Sequence, residues 1–521
     1  MTRRTLYPVM MLALSIIVLS CSDSGPVSWG ECPDYLMNAG QECATVKMPL
    51  TSTGSDGRQI DVFVWRVLSQ IDRSDVKGQL WLLQGGPGNS SVGFTAVLPQ
   101  IMKHHPEWDI YSLDHRGTGN SAGLHCPGAV GPGETINAGN AEDCVTELQK
   151  KWGASGLSAF STTNAARDVG RLIDLMKPAG GKVFVYGVSY GTYWAMRYLQ
   201  LHPKQASGVV LDSICVPGEC AVDDYDANFN HSGHQVFDLC AADATCRQKL
   251  SVIDPDPWTA TGIVFGKVAS NAICEPLKAM VTPATLRQGL AKLNQTVYGR
   301  ALVPAVILRV NRCSAPDVVA LTSLFAKKSG TASGRYFEGF VAEDMLNSTA
   351  LGMNVIIPEL YKGISPASAK AIQDAAYVSE DVTLDVAETG SAGLWPAYDD
   401  QYIGDIPATN IPVLMVNSNI DGQTPLSSAI KAKAIFDQDF QTFIEIPDAA
   451  HGAVFQSPLK DYPTTKSEMC GVKIMFGFMA NPRGDMDTSC LSSMYSLEFS
   501  GVSSENVAAS NAYFGTANMW E

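Results

Sequence analysis

The sequence predicts an α/β fold, a mostly parallel sheet flanked by helices, with a large and mainly helical inserted cap. Short apolar stretches that are typical of buried strands alternate with segments of helical period, and this alternation favours a parallel sheet. The alternation stops between about residues 213 and 405 and then resumes. We therefore expect a core that is split in the chain by the cap.

The predicted elements follow one another in strand-helix order. The strands are expected at 62–67, 80–83, 108–113, 183–188, 208–211, 411–416 and 441–446, and the helices at 161–177, 190–201, 426–436 and 467–479. Within 161–177 apolar residues recur at steps of three and four before Pro178, which predicts a crossover helix. The first part of the core is placed at 21–212, the cap at 213–405 and the second part of the core at 406–521.

The composition is that of a folded protein with a sizeable core. Hydrophobic residues make up 45% of the chain and charged residues 17%, the opposite of the balance in disordered chains. The net charge is −15, whereas proteins that bind phosphate backbones do so through Lys and Arg, so nucleic acid is not an expected partner. Beyond residue 20 no apolar stretch reaches the roughly 18 residues that cross a bilayer.

Residues 1–20 predict export. Arg3 and Arg4 precede an apolar run at 9–19, which is typical of a signal peptide. The run ends at Cys21 in a pattern similar to a bacterial lipoprotein box, in which Cys21 would carry the lipid. An ordinary cleaved signal is the alternative. We expect a secreted protein or one attached to the cell envelope, with membrane contact only through the lipid on Cys21.

The cysteines agree with an exported chain. Apart from Cys21 there are twelve, and an even number in an exported protein predicts disulfides. Because neighbours in sequence close small loops at low entropic cost, the expected pairs are 32–43, 126–144, 215–220, 240–246, 274–313 and 470–490. The sequence contains no Cys-x-x-Cys, so neither a thioredoxin-type site nor a zinc ribbon is predicted.

The pattern Gly-x-Ser-x-Gly at 187–191 places Ser189 between a predicted buried strand and a helix. A sharp turn there needs glycine on both sides, and it exposes the serine hydroxyl at the carboxyl edge of the sheet. Ser189 is therefore the candidate nucleophile. The alternative is a plain strand-to-helix turn in which Ser189 only caps the helix.

A nucleophilic serine needs a base and an acid, and in this architecture they follow it in the order acid, then histidine. His451 is the only histidine beyond the predicted cap, and it comes directly after the last predicted strand. Asp421 follows the preceding strand and is the candidate acid. If Asp421 were only a turn residue, Asp448 would be the replacement.

A glycine-rich turn follows the predicted strand at 80–83. Residues without side chains let backbone N–H groups approach a substrate oxygen, so Gly86 and the N–H of Tyr190 are the candidate oxyanion hole. The alternative is a simple tight turn. His231, His234 and Cys240 could suggest a metal site, but none is predicted, because no acidic helix motif accompanies them and Cys240 has a nearby disulfide partner.

These motifs together resemble the prolyl and tripeptidyl aminopeptidases of the α/β-hydrolase superfamily. The segments that carry the resemblance are Gln-Gly-Gly-Pro-Gly at 84–88, Asp-His-Arg-Gly-Thr-Gly-Asn-Ser at 114–121, Thr-Thr-Asn-Ala-Ala-Arg-Asp at 162–168, Gly-Val-Ser-Tyr-Gly-Thr at 187–192, Asp421-x-x-Thr424-Pro425, His451-Gly452, and Cys470 with Cys490. The likeness covers about 40–215 and 405–495, and the C-terminal part resembles the tripeptidyl-aminopeptidase-like C-terminal region. One departure is Gln84, where the family usually has histidine.

The resemblance implies Ser189 as nucleophile, Asp421 as acid, His451 as base, and Gly86 with Tyr190 as oxyanion donors. Members of the family trim short peptides from a free N-terminus without a cofactor. They bind the substrate ammonium through carboxylates of the cap, and a weak match points to Glu343 and Asp344. We expect an exported serine aminopeptidase. The alternatives are an esterase or amidase on small non-peptide substrates, and a non-catalytic surface binding protein.

Overall fold

The computed structural model describes residues 26–36, 40–51, 57–131, 134–326, 346–460 and 468–521. The predicted signal peptide with Cys21, and the predicted substrate-binding pair Glu343 and Asp344, lie outside the described residues. The described chain forms an α/β fold around one sheet of eight strands in the order β1-β2-β4-β3-β5-β6-β7-β8.

The strands are β1 (Gln41–Pro49), β2 (Gln59–Val67), β3 (Gly78–Leu83), β4 (Trp108–Leu113), β5 (Val183–Val188), β6 (Gly208–Asp212), β7 (Val413–Ser418) and β8 (Gln441–Ile446). β1 pairs with β2 and β2 with β4 in antiparallel fashion, and all other pairs are parallel. The predicted mostly parallel sheet is confirmed. Because parallel strands run the same way, β4, β3, β5, β6, β7 and β8 deliver their carboxyl ends to one edge.

The α-helices are α1 (Leu98–His104), α2 (Ala141–Trp152), α3 (Thr162–Met176), α4 (Tyr190–Leu201), α5 (Tyr225–Ala242), α6 (Ala244–Leu250), α7 (Pro257–Ala269), α8 (Glu275–Lys278), α9 (Pro283–Asn294), α10 (Val303–Arg312), α11 (Ala315–Ala326), α12 (Thr349–Val355), α13 (Pro366–Ala375), α14 (Val382–Ser391), α15 (Leu426–Ala429), α16 (Cys470–Ala480) and α17 (Ser504–Phe514). Short 3-10 helices occupy Asp34–Leu36, Arg73–Asp75, Ser91–Ala96, Leu157–Phe160, Val222–Asp224, Gly299–Leu302, Ile430–Ala434 and Ser489–Ser493, and a π-helical turn Ile356–Leu360. The described residues between β6 and β7 form helices and no strand of the sheet.

The helices differ from prediction at two places. The helix expected at 426–436 is a single α-turn, α15, followed by the 3-10 helix Ile430–Ala434. The helix expected at 467–479 begins at Cys470, and a further helix, α17, follows it. The sequence of α17 has almost no segregated apolar face, and its burial comes from packing rather than from helical period.

The apolar residues form three clusters, one on each face of the sheet and one among the cap helices. The last segment of the chain joins the third cluster, although the sequence placed all of 406–521 in the core. Phe514 and Trp520 are buried among cap residues, and the Trp520 indole N–H donates to the Phe499 carbonyl at 3.0 Å. Buried Arg309 of α10 donates to the Met519 carbonyl at 3.0 Å. The C-terminal segment thus packs as part of the cap.

All six predicted disulfides are present, at 32–43, 126–144, 215–220, 240–246, 274–313 and 470–490. Within the described ranges, no helix is both long and apolar enough to cross a bilayer. Disulfides form and persist in oxidising compartments, so their number fits an exported protein.

Arg116 is a buried charge that ties the loop after β4 to helix α3. Its guanidinium donates to both carboxylate oxygens of Asp168 at 2.7 and 2.8 Å, and to the carbonyls of Leu50 and Ala159 at 2.7 and 2.8 Å. The two side chains are only 2% and 1% exposed. Removing one partner would leave the other charge buried without compensation.

We predict that Asp168→Ala lowers the free energy of unfolding by about 3–5 kcal/mol, because Arg116 loses its counter-ion. The matched control is Glu275→Ala, which removes the ion pair between Glu275 and Lys278. The side chain of Glu275 is 86% exposed and that of Lys278 is 36% exposed. The control should change the free energy of unfolding by about 1 kcal/mol or less. Urea unfolding followed by fluorescence measures both, and equal small effects would contradict the prediction.

Candidate active site

Ser189 occupies a strained turn between β5 and α4. Its backbone has φ 57° and ψ −129°, a conformation that non-glycine residues seldom adopt and that costs roughly 1–3 kcal/mol. A Cβ on Gly187 would lie 2.2 Å from the Gly191 carbonyl oxygen, and one on Gly191 would lie 2.2 Å from the Leu83 carbonyl oxygen. Only glycine fits at both positions, so the sharp turn predicted from the sequence pattern is present.

The turn is fixed to the neighbouring strand and opens at the carboxyl edge of the sheet. The Ser189 N–H donates to the Asp212 carbonyl at the end of β6, at 3.0 Å. Together with Gly86 and Tyr190, Ser189 lines a cavity of about 250 Å³, which we call the acyl cavity. Ser189 therefore lies at the carboxyl edge of the sheet and on the wall of a cavity.

His451 and Asp421 meet directly at the same edge. The Nδ1 atom of His451 lies 2.9 and 3.0 Å from the two carboxylate oxygens of Asp421. Asp421 is buried, and it also accepts hydrogen bonds from the N–H groups of Gln423 and Thr424 at 2.9 and 3.0 Å. The replacement acid Asp448 is not needed, because the carboxylate bonded to His451 is that of Asp421.

The contact shifts the pKa of both groups. Burial alone would raise the pKa of Asp421, but the His451 charge, its hydrogen bond and two backbone N–H groups outweigh burial and lower it to about 2. Burial alone would lower the pKa of His451, yet the Asp421 charge and hydrogen bond raise it above 6.5. The pair is thus built to stabilise an imidazolium on His451.

The loop that carries His451 is anchored beside Ser189. The Gly452 N–H donates to the Ser213 hydroxyl at 2.7 Å, and the Val454 N–H donates to the Asp212 carboxylate at 3.0 Å. A Cβ on Gly452 would lie 3.6 Å from a methyl group of Val188, the residue before Ser189. The residues next to the serine and next to the histidine are therefore in contact.

The hydrogen bonds among the described residues do not include one between Ser189 and His451. The His451 bonds run from Nδ1 to Asp421 and Thr424 and leave Nε2 for other partners. Such bonds are often long or misaligned in the free state of a hydrolase and tighten when substrate binds.

Gly86 and Tyr190 are brought together on the wall of the acyl cavity. Tyr190 is the first residue of α4, so its N–H has no acceptor within the helix. A Cβ on Gly85 would lie 2.9 Å from the Ser189 Cβ, which shows how closely the glycine turn approaches the serine. The amide oxygen of Gln84 accepts the Gly85 N–H at 2.9 Å, so the residue that departs from the family pattern braces the turn.

The motif residues around 115 and 162 position Tyr190. The His115 Nδ1–H donates to the Arg116 carbonyl at 2.6 Å, and its Nε2 lies 3.3 Å from the Tyr190 hydroxyl. The same hydroxyl lies 2.8 Å from the Thr162 hydroxyl. Burial lowers the pKa of His115 to about 3, so the ring is neutral and Nε2 accepts from Tyr190.

Comparison with known proteins agrees with this geometry. Residues 80–248 match the family model of the alpha/beta hydrolase fold. The sheet order and this match together identify the fold of the described chain as an α/β-hydrolase fold. The predicted fold class is confirmed, and the serine turn, the acid and the histidine follow three strands of this α/β-hydrolase sheet.

Three similar proteins are peptidases by name. The tripeptidyl aminopeptidase of Streptomyces lividans is 30% identical over 217 residues, 37% of this chain and 38% of that protein. Serine protease Hip1 of Mycobacterium tuberculosis is 24% identical over 217 residues, 37% of this chain and 40% of that protein. Proline iminopeptidase of Aeromonas sobria is 26% identical over 185 residues, 35% of this chain and 39% of that protein. The chain thus spans about two fifths of the length of these relatives, and the resemblance to such peptidases is confirmed.

Sequence reasoning missed Glu380, a largely buried carboxylate behind the wall of the acyl cavity. It accepts from the Tyr225 hydroxyl at 2.7 Å and from the Gln295 amide, while Tyr225 and Gln423 line the cavity itself. Burial raises the pKa of Glu380, although the hydrogen bonds from Tyr225 and Gln295 act to lower it. The negative charge of Glu380 in turn helps to raise the pKa of His451. No motif surrounds Glu380, so only contacts across the fold reveal it.

Arg300 of the cap was also missed. Its buried guanidinium donates to the carbonyls of Ile420, Ala449 and Asn294 at 2.7, 2.6 and 2.8 Å. Burial lowers the pKa of Arg300 to about 10, which leaves it charged at neutral pH. Because Ile420 precedes Asp421 and Ala449 lies two residues before His451, one cap residue holds both loops. Nothing in the sequence near 300 indicates this role.

The described ranges contain no cluster of three or more His, Cys, Asp or Glu side chains arranged to hold a metal ion. Cys240 forms a disulfide with Cys246 and is not available as a ligand. The residues considered from sequence, His231 and His234, lie on α5 in the cap.

We predict that the pKa of His451, measured by histidine NMR titration, lies above 6.5 and falls on Asp421→Asn. The substitution removes the negative charge that favours the protonated ring and leaves burial to lower the pKa. His451→Gln assigns the resonance, and Asp448→Asn is the matched control, expected to shift the pKa of His451 less. A larger shift in the control would contradict the assignment of Asp421 as the partner.

Proposed function

We propose that the protein is an exported serine aminopeptidase that releases residues or short peptides from a free N-terminus through an acyl-enzyme. Ser189 is the nucleophile, His451 the base and Asp421 the acid. The observation that carries the proposal is the contact between Asp421 and His451 beside the strained turn of Ser189. The names of the three relatives support peptide substrates.

The chemistry follows from the site. Ser189 attacks the scissile carbonyl while His451 accepts the hydroxyl proton, and Asp421 stabilises the imidazolium and fixes its tautomer. The N–H groups of Gly86 and Tyr190 bind the developing oxyanion. His451 then protonates the leaving amine. Water, activated by the same histidine, hydrolyses the acyl-enzyme and restores Ser189.

Recognition of a free N-terminus requires a carboxylate that is shielded from water, because exposed ion pairs contribute little. Glu380 is largely buried, and its partner Tyr225 lines the acyl cavity. Glu219, the carboxylate among the described residues that line this cavity, is 38% exposed and pairs with Lys431 at 2.6 Å. We therefore propose Glu380 as an ammonium partner, beside Glu343 and Asp344, which the family resemblance suggests.

The proposed location is the cell envelope or the exterior. Six disulfides support an oxidising compartment. The lipid anchor on Cys21 is part of the proposal and rests on the sequence pattern around it. Metabolic labelling with a clickable fatty acid, compared in the native chain and Cys21→Ser, tests it, and equal labelling of both would exclude Cys21 as the lipid site.

Ser189→Ala should lower kcat by about 10⁶-fold, because it removes the nucleophile. Asp421→Asn should lower kcat by about 10⁴-fold, because it removes the charge that supports the imidazolium.

The neutral ring of His451 is the base, and the pKa of His451 lies above 6.5. The kcat/KM of the native protein should therefore fall as the pH drops through the pKa of His451. Rates of hydrolysis of chromogenic peptides measure these effects, and circular dichroism confirms that each variant is folded. A fluorophosphonate probe that fails to label the folded native protein at Ser189 would favour a non-catalytic binding protein.

Glu380→Gln should raise KM at least tenfold for chromogenic peptides of one to three residues with a free N-terminus. At a pH above the pKa of His451, where the ring is neutral in both proteins, it should leave the slow hydrolysis of their acetylated counterparts unchanged, because these lack the ammonium group. The matched control is Glu388→Gln, an exposed carboxylate on α14, which should change neither value. A native protein that hydrolyses both series equally well would instead be an esterase or amidase.

A further inference from the structure

We infer that a second cavity, on the His451 side of the site, binds the leaving-group half of the substrate and selects an uncharged apolar residue there. The inference rests on the proposed acyl-enzyme mechanism and adds a specificity that this mechanism does not contain. We call this the leaving-group cavity. Its volume is about 320 Å³, compared with about 250 Å³ for the acyl cavity.

The catalytic residues are divided between the two cavities. Ser189 and the oxyanion candidates Gly86 and Tyr190 line the acyl cavity. His451 lines the leaving-group cavity, together with Gln84 beside the oxyanion turn. The serine thus lines one cavity and the histidine lines the other, although both residues act on the same scissile bond.

The direction of the chemistry assigns each half of the substrate. The acyl half becomes bonded to the serine and keeps its oxygen at the oxyanion donors, so it stays in the space that Ser189 lines. The leaving nitrogen receives its proton from His451, so the amine half lies in the space that His451 lines. Glu380, the proposed partner of the substrate ammonium, contacts Tyr225 of the acyl cavity, which agrees with this direction.

The wall of the leaving-group cavity decides which amine it accepts. The described residues that line it include no Asp, Glu, Lys or Arg. Aromatic and aliphatic side chains supply much of the surface, namely Phe94, Val97, Tyr298, Phe455 and Met469. Burying apolar area is favourable, whereas a charge buried without a partner is costly. An apolar residue with no free carboxylate therefore fits best.

The cavity is built from rigid parts of both the core and the cap. Phe94 lies in the 3-10 helix after β3, and its ring packs edge to face on Tyr186 at 6.1 Å. Phe455, from the loop after His451, also packs edge to face on Tyr186, with 5.5 Å between the ring centroids. Tyr298 of the cap packs against Tyr495 at 5.2 Å. These contacts hold the apolar wall in place before substrate arrives.

Capture of the acyl-enzyme by an added amine measures which amines the leaving-group cavity prefers, while the acyl half of the substrate stays the same. The protein is acylated with a short peptidyl p-nitrophenyl ester, and either water or an amine then releases it. In the amine reaction the bond from the acyl carbon to the Ser189 oxygen breaks and a bond to the amine nitrogen forms. The amine proton passes to His451, which returns a proton to Ser189. Mass spectrometry measures the ratio of amide product to acid product.

Leucinamide should be captured at least tenfold more efficiently than aspartamide or leucine, because these two place a carboxylate where the described lining residues offer no Lys or Arg to pair with it. Ala96→Trp fills the cavity and should lower capture of leucinamide at least tenfold while hydrolysis of the acyl-enzyme continues. Gln100→Lys adds a cation to the wall and should raise the capture of leucine relative to leucinamide. That gain cannot arise from misfolding.

The matched control is Ala221→Trp, which fills the acyl cavity instead. It should change the rate of acylation by the ester but not the preference among added amines. If Ala221→Trp alters the amine preference and the variants at 96 and 100 do not, the assignment of the cavities is overturned. If the native protein forms no acyl-enzyme at all, the proposed function fails and the inference fails with it. An acyl-enzyme that captures all three amines equally overturns the inference alone.

Discussion

The site depends on one geometric constraint, the shared edge at which six parallel strands end. Ser189 follows β5, Asp421 follows β7 and His451 follows β8, and the sheet register brings these three sequence-distant points together. The turn at Ser189 is strained, and its φ of 57° is tolerated only because the strand and helix on either side are buried. Local strain at the serine is thus offset by the packing of the whole core.

The cap also positions the loops that carry Asp421 and His451. Arg300 places one buried guanidinium on carbonyls of the loops that carry Asp421 and His451. The Ser232 hydroxyl donates to the Ile420 carbonyl at 2.8 Å, and the Asn294 amide in turn donates to Ser232 at 3.0 Å. Three cap residues therefore fix the backbone beside the acid, so cap packing and the position of the acid–base pair are physically coupled.

The parts of the molecule that could be predicted are those set by local pattern and chain order. The strand at 183–188, the turn at Ser189 and the disulfide partners follow from apolar runs, glycine spacing and loop length. His451 follows from its position after the last strand. β1 was not predicted because it is an edge strand of mixed burial, paired only with β2. The packing of the tail beyond Tyr495 has no local pattern, because its burial comes from cap helices that are distant in sequence.

Glu380 and Arg300 could not be predicted for a related physical reason. Each acts through hydrogen bonds to residues far away in the sequence, Glu380 to Tyr225 and Arg300 to Ile420, and neither has a local pattern that distinguishes it from an ordinary surface charge. Long-range contacts of this kind are fixed by the packing of the cap on the core, which a single sequence does not reveal. Glu343 and Asp344 rest on resemblance alone.

The central claim is that Ser189, His451 and Asp421 act as one unit that forms a covalent acyl-enzyme. The most direct measurement is acid quenching of the reaction with an activated peptide ester during the first turnover, followed by digestion and mass spectrometry. The account predicts one acyl group on the peptide that contains Ser189, and its loss in His451→Gln. An acyl group on another residue, or rapid product formation with Ser189 never modified, would contradict it.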